Sequence, residues 1–180
     1  DNLWQEELAG SGKSTDYFYQ FYQDLLAKIQ VNYVRSASLP IKPVIKAEQV
    51  QQYQLPDKVD VYYANRQFLE SQGFKLPDIG TKKVILLPAS DKGQEGKNQF
   101  LGKSIAYLSM RYEDQQKQTI EDMDVEIAYY EGDWSFFPYN NERKENLHNP
   151  IISLVNDQDM MWEEKTHLLT TTVKKQNQNK

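Results

Sequence analysis

Two side chains in this sequence titrate near neutrality without help from their surroundings, His148 and His167, so general-base or metal-ligand chemistry is sought there first. Glu163, Glu164 and His167 would share one face of a helix, and Glu-x-x-His is half of a di-iron carboxylate site. A complete site needs a second copy and further carboxylates on four helices. The sequence around His167 turns β-like instead, so no metal is expected. Asp157 and Asp159 begin like a calcium loop, but Met160 and Met161 stand where the glycine and a third oxygen ligand belong. Gly10 to Thr15, Gly-Ser-Gly-Lys-Ser-Thr, matches only the end of a phosphate-binding loop. Glu7 replaces the required first glycine and no hydrophobic strand precedes it.

Acyl-transfer chemistry has no signature here. There is no Gly-x-Ser-x-Gly elbow, and neither histidine stands in a motif-level relation to a serine or an acid. The chain has no cysteine, which removes thiolate catalysis, disulfides and Cys-ligated zinc. No catalytic residue, metal or cofactor is expected. A ligand site is sought among the twelve tyrosines and a run of carboxylates. Asp122, Asp124 and Glu126 would project from one face of a strand near Arg111 and Lys103, which reads as a solvated face with cross-strand ion pairs. Tyr129, Tyr130, Phe136, Phe137 and Tyr139 place aromatics on both faces of the same predicted sheet. One face must therefore meet something other than water: the chain's own N-terminal helices first, otherwise a small-molecule cavity or another subunit. The residues to test for ligand binding are Tyr107, Arg111, Asp124, Tyr129 and Tyr130.

These residues need elements to hold them. At 180 residues the chain has the length of a single domain, and 39% apolar residues give it material for one core. After a lead-in over 1–15, Phe18, Phe21, Tyr22, Leu25 and Ile29, continued by Tyr33, form the stripe of a long helix. Pro40 and Pro43 end it, and a short helix is expected around Val50. Asp57 would cap another helix running to about Gln72, with Val61, Ala64, Phe68 and Leu69 buried and Gly73 as its stop.

Strands follow. Lys83 to Leu87 is a β-rich run ended by Pro88, and Ser90 to Asn98 reads as a polar loop. Alternation over Lys103–Tyr112 and over Asp122–Tyr129 predicts two antiparallel partners, with Leu108 opposite Met123 and Ala106 opposite Val125. Gly132-Asp133 would then turn Trp134 to Phe137 back along the second of them. Asn149-Pro150 has the form of a helix start, Ile151 to Val155 a short packed element, and Met160 to Trp162 a further apolar anchor. Leu168 to Val173 has strand composition before a polar tail over 174–180. A single domain over 16–173 results.

This order of elements, with the run Val125 to Phe137 (Val-Glu-Ile-Ala-Tyr-Tyr-Glu-Gly-Asp-Trp-Ser-Phe-Phe), resembles the last hairpin of NTF2-like, cystatin-like α+β domains. The resemblance covers about 13 residues and implies N-terminal helices packed on a curved antiparallel sheet, with a cone-shaped pocket and here a C-terminal extension. It implies no catalytic residue, because that scaffold serves isomerases, hydrolases, binding proteins and secretion components alike.

A net charge of −5 argues against a nucleic-acid partner. No stretch reaches the length of a membrane span. The chain begins at Asp1 rather than Met, and its composition suits an exported bacterial protein, periplasmic or envelope-anchored after removal of a signal, without excluding the cytoplasm. The expected function is a non-catalytic binding or assembly domain with a protein partner, self-association being left open. The alternative is a carrier or enzyme holding a small apolar or aromatic ligand in an aromatic pocket.

Overall fold

The computed structural model of the chain describes residues 32–41, 45–78, 82–138 and 145–156, together with Tyr17, Phe18, Gln20, Phe21 and Asp24. Two compact units divide it, Tyr33–Val155 and, in the other, Asp1–Asn32 with Asn156–Lys180. In the second unit the five described residues from Tyr17 to Asp24 are helical, and Gln20 Nε2 donates to Asp24 Oδ1 one turn on at 3.0 Å. The predicted strand at Leu168 to Val173 and the features at Gly10 to Thr15, Asp157 to Trp162 and His167 lie outside the described residues.

The Tyr33–Val155 unit is α+β and built on a mixed, open five-stranded sheet in the order β1-β2-β7-β3-β4. Its strands are β1 (Val34–Pro40), β2 (Lys58–Asn65), β3 (Lys83–Pro88), β4 (Val125–Tyr130) and β7 (Ile151–Val155). β1 and β2 are antiparallel, β2 and β7 parallel, β7 and β3 antiparallel, and β3 and β4 parallel. Two residues each from β5 (Ser135–Phe136) and β6 (Leu147–His148) form a separate antiparallel pair. The helices are α1 (Ala47–Tyr53), α2 (Arg66–Ser71), α3 (Glu95–Leu108) and the single turn α4 (Tyr112–Gln115).

Several elements differ from the sequence reading. Lys103 to Tyr112 is not a strand: α3 occupies most of it and crosses over between the parallel strands β3 and β4. Its inner residues Asn98, Leu101, Gly102, Ser104, Ile105 and Ala106 include three that are polar or lack a side chain, which blurs the helical stripe and lets alternation compete with it. The proposed pairing of Leu108 with Met123 and Ala106 with Val125 therefore does not form. β4's partner is β3, Ile85 opposite Ile127.

The helix expected from Asp57 to Gln72 is likewise two elements. Val61 to Asn65 is buried without interruption. A strand inside a sheet, covered on both faces, loses the alternation that marks an amphipathic one. The cap is Asn65 rather than Asp57. Its Oδ1 accepts from Phe68 N at 3.1 Å and from Tyr33 N at 3.1 Å, starting α2 and tying it to the entry of β1. Gly73 does end α2, at φ +103°, with Phe74 N returning to Leu69 O at 3.0 Å. Tyr33, expected in the long helix, lies just before β1, and Asn149-Pro150 leads into strand β7 instead of a helix.

Both faces of the sheet are covered. On one, Gly102 lets α3 approach so closely that an added Cβ would sit 2.5 Å from Ile127 Cδ1 and 3.3 Å from Val125 Cγ1. On the other, Tyr62, Val84, Leu86, Tyr130, Ile152 and Leu154 pack with Leu69, Phe74, Phe136 and Leu147, joined by the partly buried Phe68 and Trp134. The second layer is largely aromatic. Phe74 lies 4.3 Å from Trp134, 5.3 Å edge-on from Tyr130 and 5.8 Å from Phe136, between ring centroids, and Tyr62 lies 4.8 Å from Phe136.

Candidate functional site

The five residues singled out from sequence do not converge. Tyr107 sits half-buried on the last turn of α3. Its backbone oxygen accepts from Gln115 Nε2 at 3.0 Å, and its hydroxyl reaches Gln115 O at 3.5 Å. It lines an open depression of about 310 Å³ with Lys46, Gln49, Gln118, Thr119, Ile120 and Glu121. Of the five, Tyr107 alone is among the described lining residues. Arg111 is exposed immediately before α4, and Asp124 is exposed immediately before β4.

Tyr129 and Tyr130 end β4, and the twofold strand period sends them to opposite faces. Tyr129 is fixed through its hydroxyl, which Asn98 Nδ2 contacts at 2.9 Å while also donating to Asp91 O at 2.8 Å. Asn98 is buried, so this pair of bonds holds the β3–α3 loop against β4. Lys92 Nζ lies 5.8 Å from the centre of the Tyr129 ring and 3.4 Å from Glu131 Oε1. Tyr130 belongs to the aromatic layer, and its hydroxyl donates to Pro150 O at 2.6 Å. Burial pushes the Tyr130 phenol well above its ordinary range, and the nearby Asp91 charge adds to the shift.

The predicted acidic strand face is also rearranged. Asp122 lies in a turn, Asp124 precedes the strand, and Glu126 alone of the three is in β4. Lys103 donates to the backbone oxygen of Glu121 at 2.9 Å from the helix, not from a neighbouring strand. Arg111 to Glu126 carries six acidic and two basic residues, a local charge of −4 within a chain of net −5. All eight of those side chains are exposed.

A different group of polar residues does converge, on the β5–β6 pair. Trp134 to Phe137 does not return along β4: Ser135 lies opposite His148 and Phe136 opposite Leu147. Phe136 and Leu147 enter the aromatic layer, which leaves Ser135 and His148 on the outer side. Ser135 Oγ is 3.3 Å from His148 Nδ1, and His148 Nε2 is 2.9 Å from Asp133 Oδ1. Asn149 braces the acid, with Nδ2 donating to the same Asp133 oxygen at 3.1 Å.

Asn149 is itself pinned on three sides. Its Oδ1 accepts from Trp134 N at 2.7 Å and its own N donates to Trp134 O at 2.7 Å, with φ at +42°, a left-handed conformation that asparagine tolerates better than most residues. Sequence reading missed this arrangement because Asp133 and Ser135 are separated from His148 by a polar stretch that does not set the register of the two flanking segments.

Among the described residues no three His, Asp or Glu side chains are grouped as a metal site would require, and no helix is long and apolar enough to cross a membrane. Comparison of the chain with protein-family models, curated proteins and solved structures finds no match.

Proposed function

We propose that the Tyr33–Val155 unit is a binding or assembly domain of an exported bacterial envelope protein, contacting its partner through the acidic segment Arg111 to Glu126. The observation that carries this reading is the fate of the aromatic face. Phe68, Phe74, Trp134, Phe136 and Leu147 fill the side of the sheet where an aromatic ligand pocket would have to open. Recognition then falls to outer surfaces, and the segment from Arg111 to Glu126 carries six exposed carboxylates together with Tyr112, which is 72% exposed. An exposed aromatic in a segment rich in exposed carboxylates suits a basic protein surface, with the charges steering the encounter and the ring providing the desolvated contact. Export itself rests on the cysteine-free, acidic composition.

The second reading is an NTF2-like domain with a small apolar ligand. It has less support. The run that carries the resemblance forms β4 and β5, but β5 pairs with β6 rather than with β4, and the sheet contains parallel pairs.

Native mass spectrometry of the protein purified from its source separates the two. The expected result is a complex with a basic partner that dissociates as salt is raised and is lost in the Glu113→Lys/Asp114→Lys variant. A stoichiometric small molecule retained by the monomer would overturn the binding reading and favour the pocket.

A further inference from the structure

We propose that Ser135, His148 and Asp133 form a nucleophilic site that accepts acyl groups from activated esters, independent of the acidic surface above. The roles follow from the geometry. If Nε2 of His148 carries the ring proton, it donates to Asp133 Oδ1 at 2.9 Å, which leaves Nδ1 unprotonated and facing Ser135 Oγ at 3.3 Å. That is a nucleophile, a base and a group orienting the base, in hydrogen-bonding sequence, and such sets are recognised by geometry and role rather than by chain order. Asn149 Nδ2 lies 3.4 Å from Nε2 as well, but its 3.1 Å bond to Asp133 Oδ1 is the better partner for an N–H donor and leaves the proton on Nε2 undisturbed.

The support is rigid. Ser135 and His148 face each other across a strand pair whose inner residues, Phe136 and Leu147, are buried in the aromatic layer. Asp133 is held by Asn149, which is left-handed at its backbone and clamped to Trp134 twice, its side-chain Oδ1 accepting from Trp134 N and its backbone N donating to Trp134 O. A left-handed asparagine fixed by several bonds beside a hydrogen-bonded Ser-His-Asp line is an arrangement in which positioning is part of the chemistry.

In the step itself, the Ser135 Oγ–H proton passes to His148 Nδ1 as Oγ forms a bond to the ester carbonyl carbon. The carbon–oxygen bond to the leaving group then breaks, and His148 returns the proton to the departing alkoxide. Water cleaves the acyl-serine by the reverse sequence, with His148 taking the water's proton. The His148 and Asp133 side chains are 61% and 78% exposed, so the site is open to bulky acyl donors and works in high dielectric, which favours activated esters over amides.

The test uses the full chain and an alkyl fluorophosphonate, which is attacked in the same way: Oγ–P forms, P–F breaks and the proton goes to His148. Expected is one phosphonyl group per chain, mapped by peptide mass spectrometry to Ser135 and lost in Ser135→Ala. His148→Ala should slow labelling about 100-fold, within the range usual for a general base, and added imidazole should restore part of the rate. Rescue by imidazole distinguishes a base from a structural prop. Asp133→Asn should displace the pH profile of labelling. Labelling of Ser135 no faster than of the exposed Ser71 or Ser90 would overturn the proposal. So would a rate indifferent to His148→Ala in a variant whose circular dichroism is native.

Discussion

Tyr130 shows how much a single hydroxyl can be asked to carry. Its ring lies in the aromatic layer and its O–H has one acceptor, Pro150 O, at the approach to β7. Ionising it would place a phenolate among apolar rings, beside the Asp91 charge, and remove the only proton available for that bond. The folded-state pKa is therefore raised above the unfolded value of 10.0. A group raised in this way contributes stability that is fully present below the unfolded pKa and is lost as pH climbs towards the folded one. Urea midpoints should hold up to about pH 10 and fall beyond it. Tyr130→Phe should be less stable by about 1 kcal/mol at neutral pH, for the lost hydrogen bond, and should show a shallower alkaline decline. An identical decline in wild type and variant would mean that another group governs it.

At the scale of elements, the approach of α3 to the sheet is set by a residue with no side chain. Gly102 faces Ile85, Val125 and Ile127 at distances that leave no space for a Cβ without movement of the Ile127 terminal methyl. Gly102→Ala gains about 1 kcal/mol of helix propensity and loses a comparable amount in displaced contacts, so its urea midpoint should stay near wild type. Gly102→Leu has no such compensation and should cost roughly 1–3 kcal/mol. A wild-type midpoint for the leucine variant would show that α3 is not tightly seated. The same glycine explains what the sequence concealed. Helix α3 buries Asn98, Gly102 and Ser104 along with its apolar residues, so hydropathy alone marks its inner face poorly, whereas β3 and β4, with their runs of branched and aromatic residues, were legible. β2 was misread for the opposite reason, being buried on both faces. The Ser135–His148 pairing depends on a register across twelve intervening residues, which no local pattern records.

At the largest scale the decisive strand is β7, the last among the described residues. In the order β1-β2-β7-β3-β4, β2 and β3 do not pair with each other, so among the described residues the antiparallel β1–β2 pair and the parallel β3–β4 pair are joined in one sheet only through Ile151–Val155. Each half presents its inner edge to β7: Tyr62 is matched to Ile152 on one side and Leu86 to Ile152 on the other. Ile152 is fully buried and belongs to the aromatic layer, so the strand closes the hydrogen-bond ladder and part of the core together. The two halves cannot complete each other until about ninety residues of intervening chain have been drawn into place, and non-local closure of that kind slows folding and makes it cooperative. Ile152→Asp puts a carboxylate at the junction, where an unpaired buried charge costs several kcal/mol or more. Against the roughly 5–15 kcal/mol of a typical domain, that is enough to remove most of the folded population. The expected outcome is loss of the cooperative thermal transition together with loss of near-ultraviolet dichroism from Trp134. A variant that melts cooperatively near the wild-type temperature would show that the two strand pairs are held together by something other than β7.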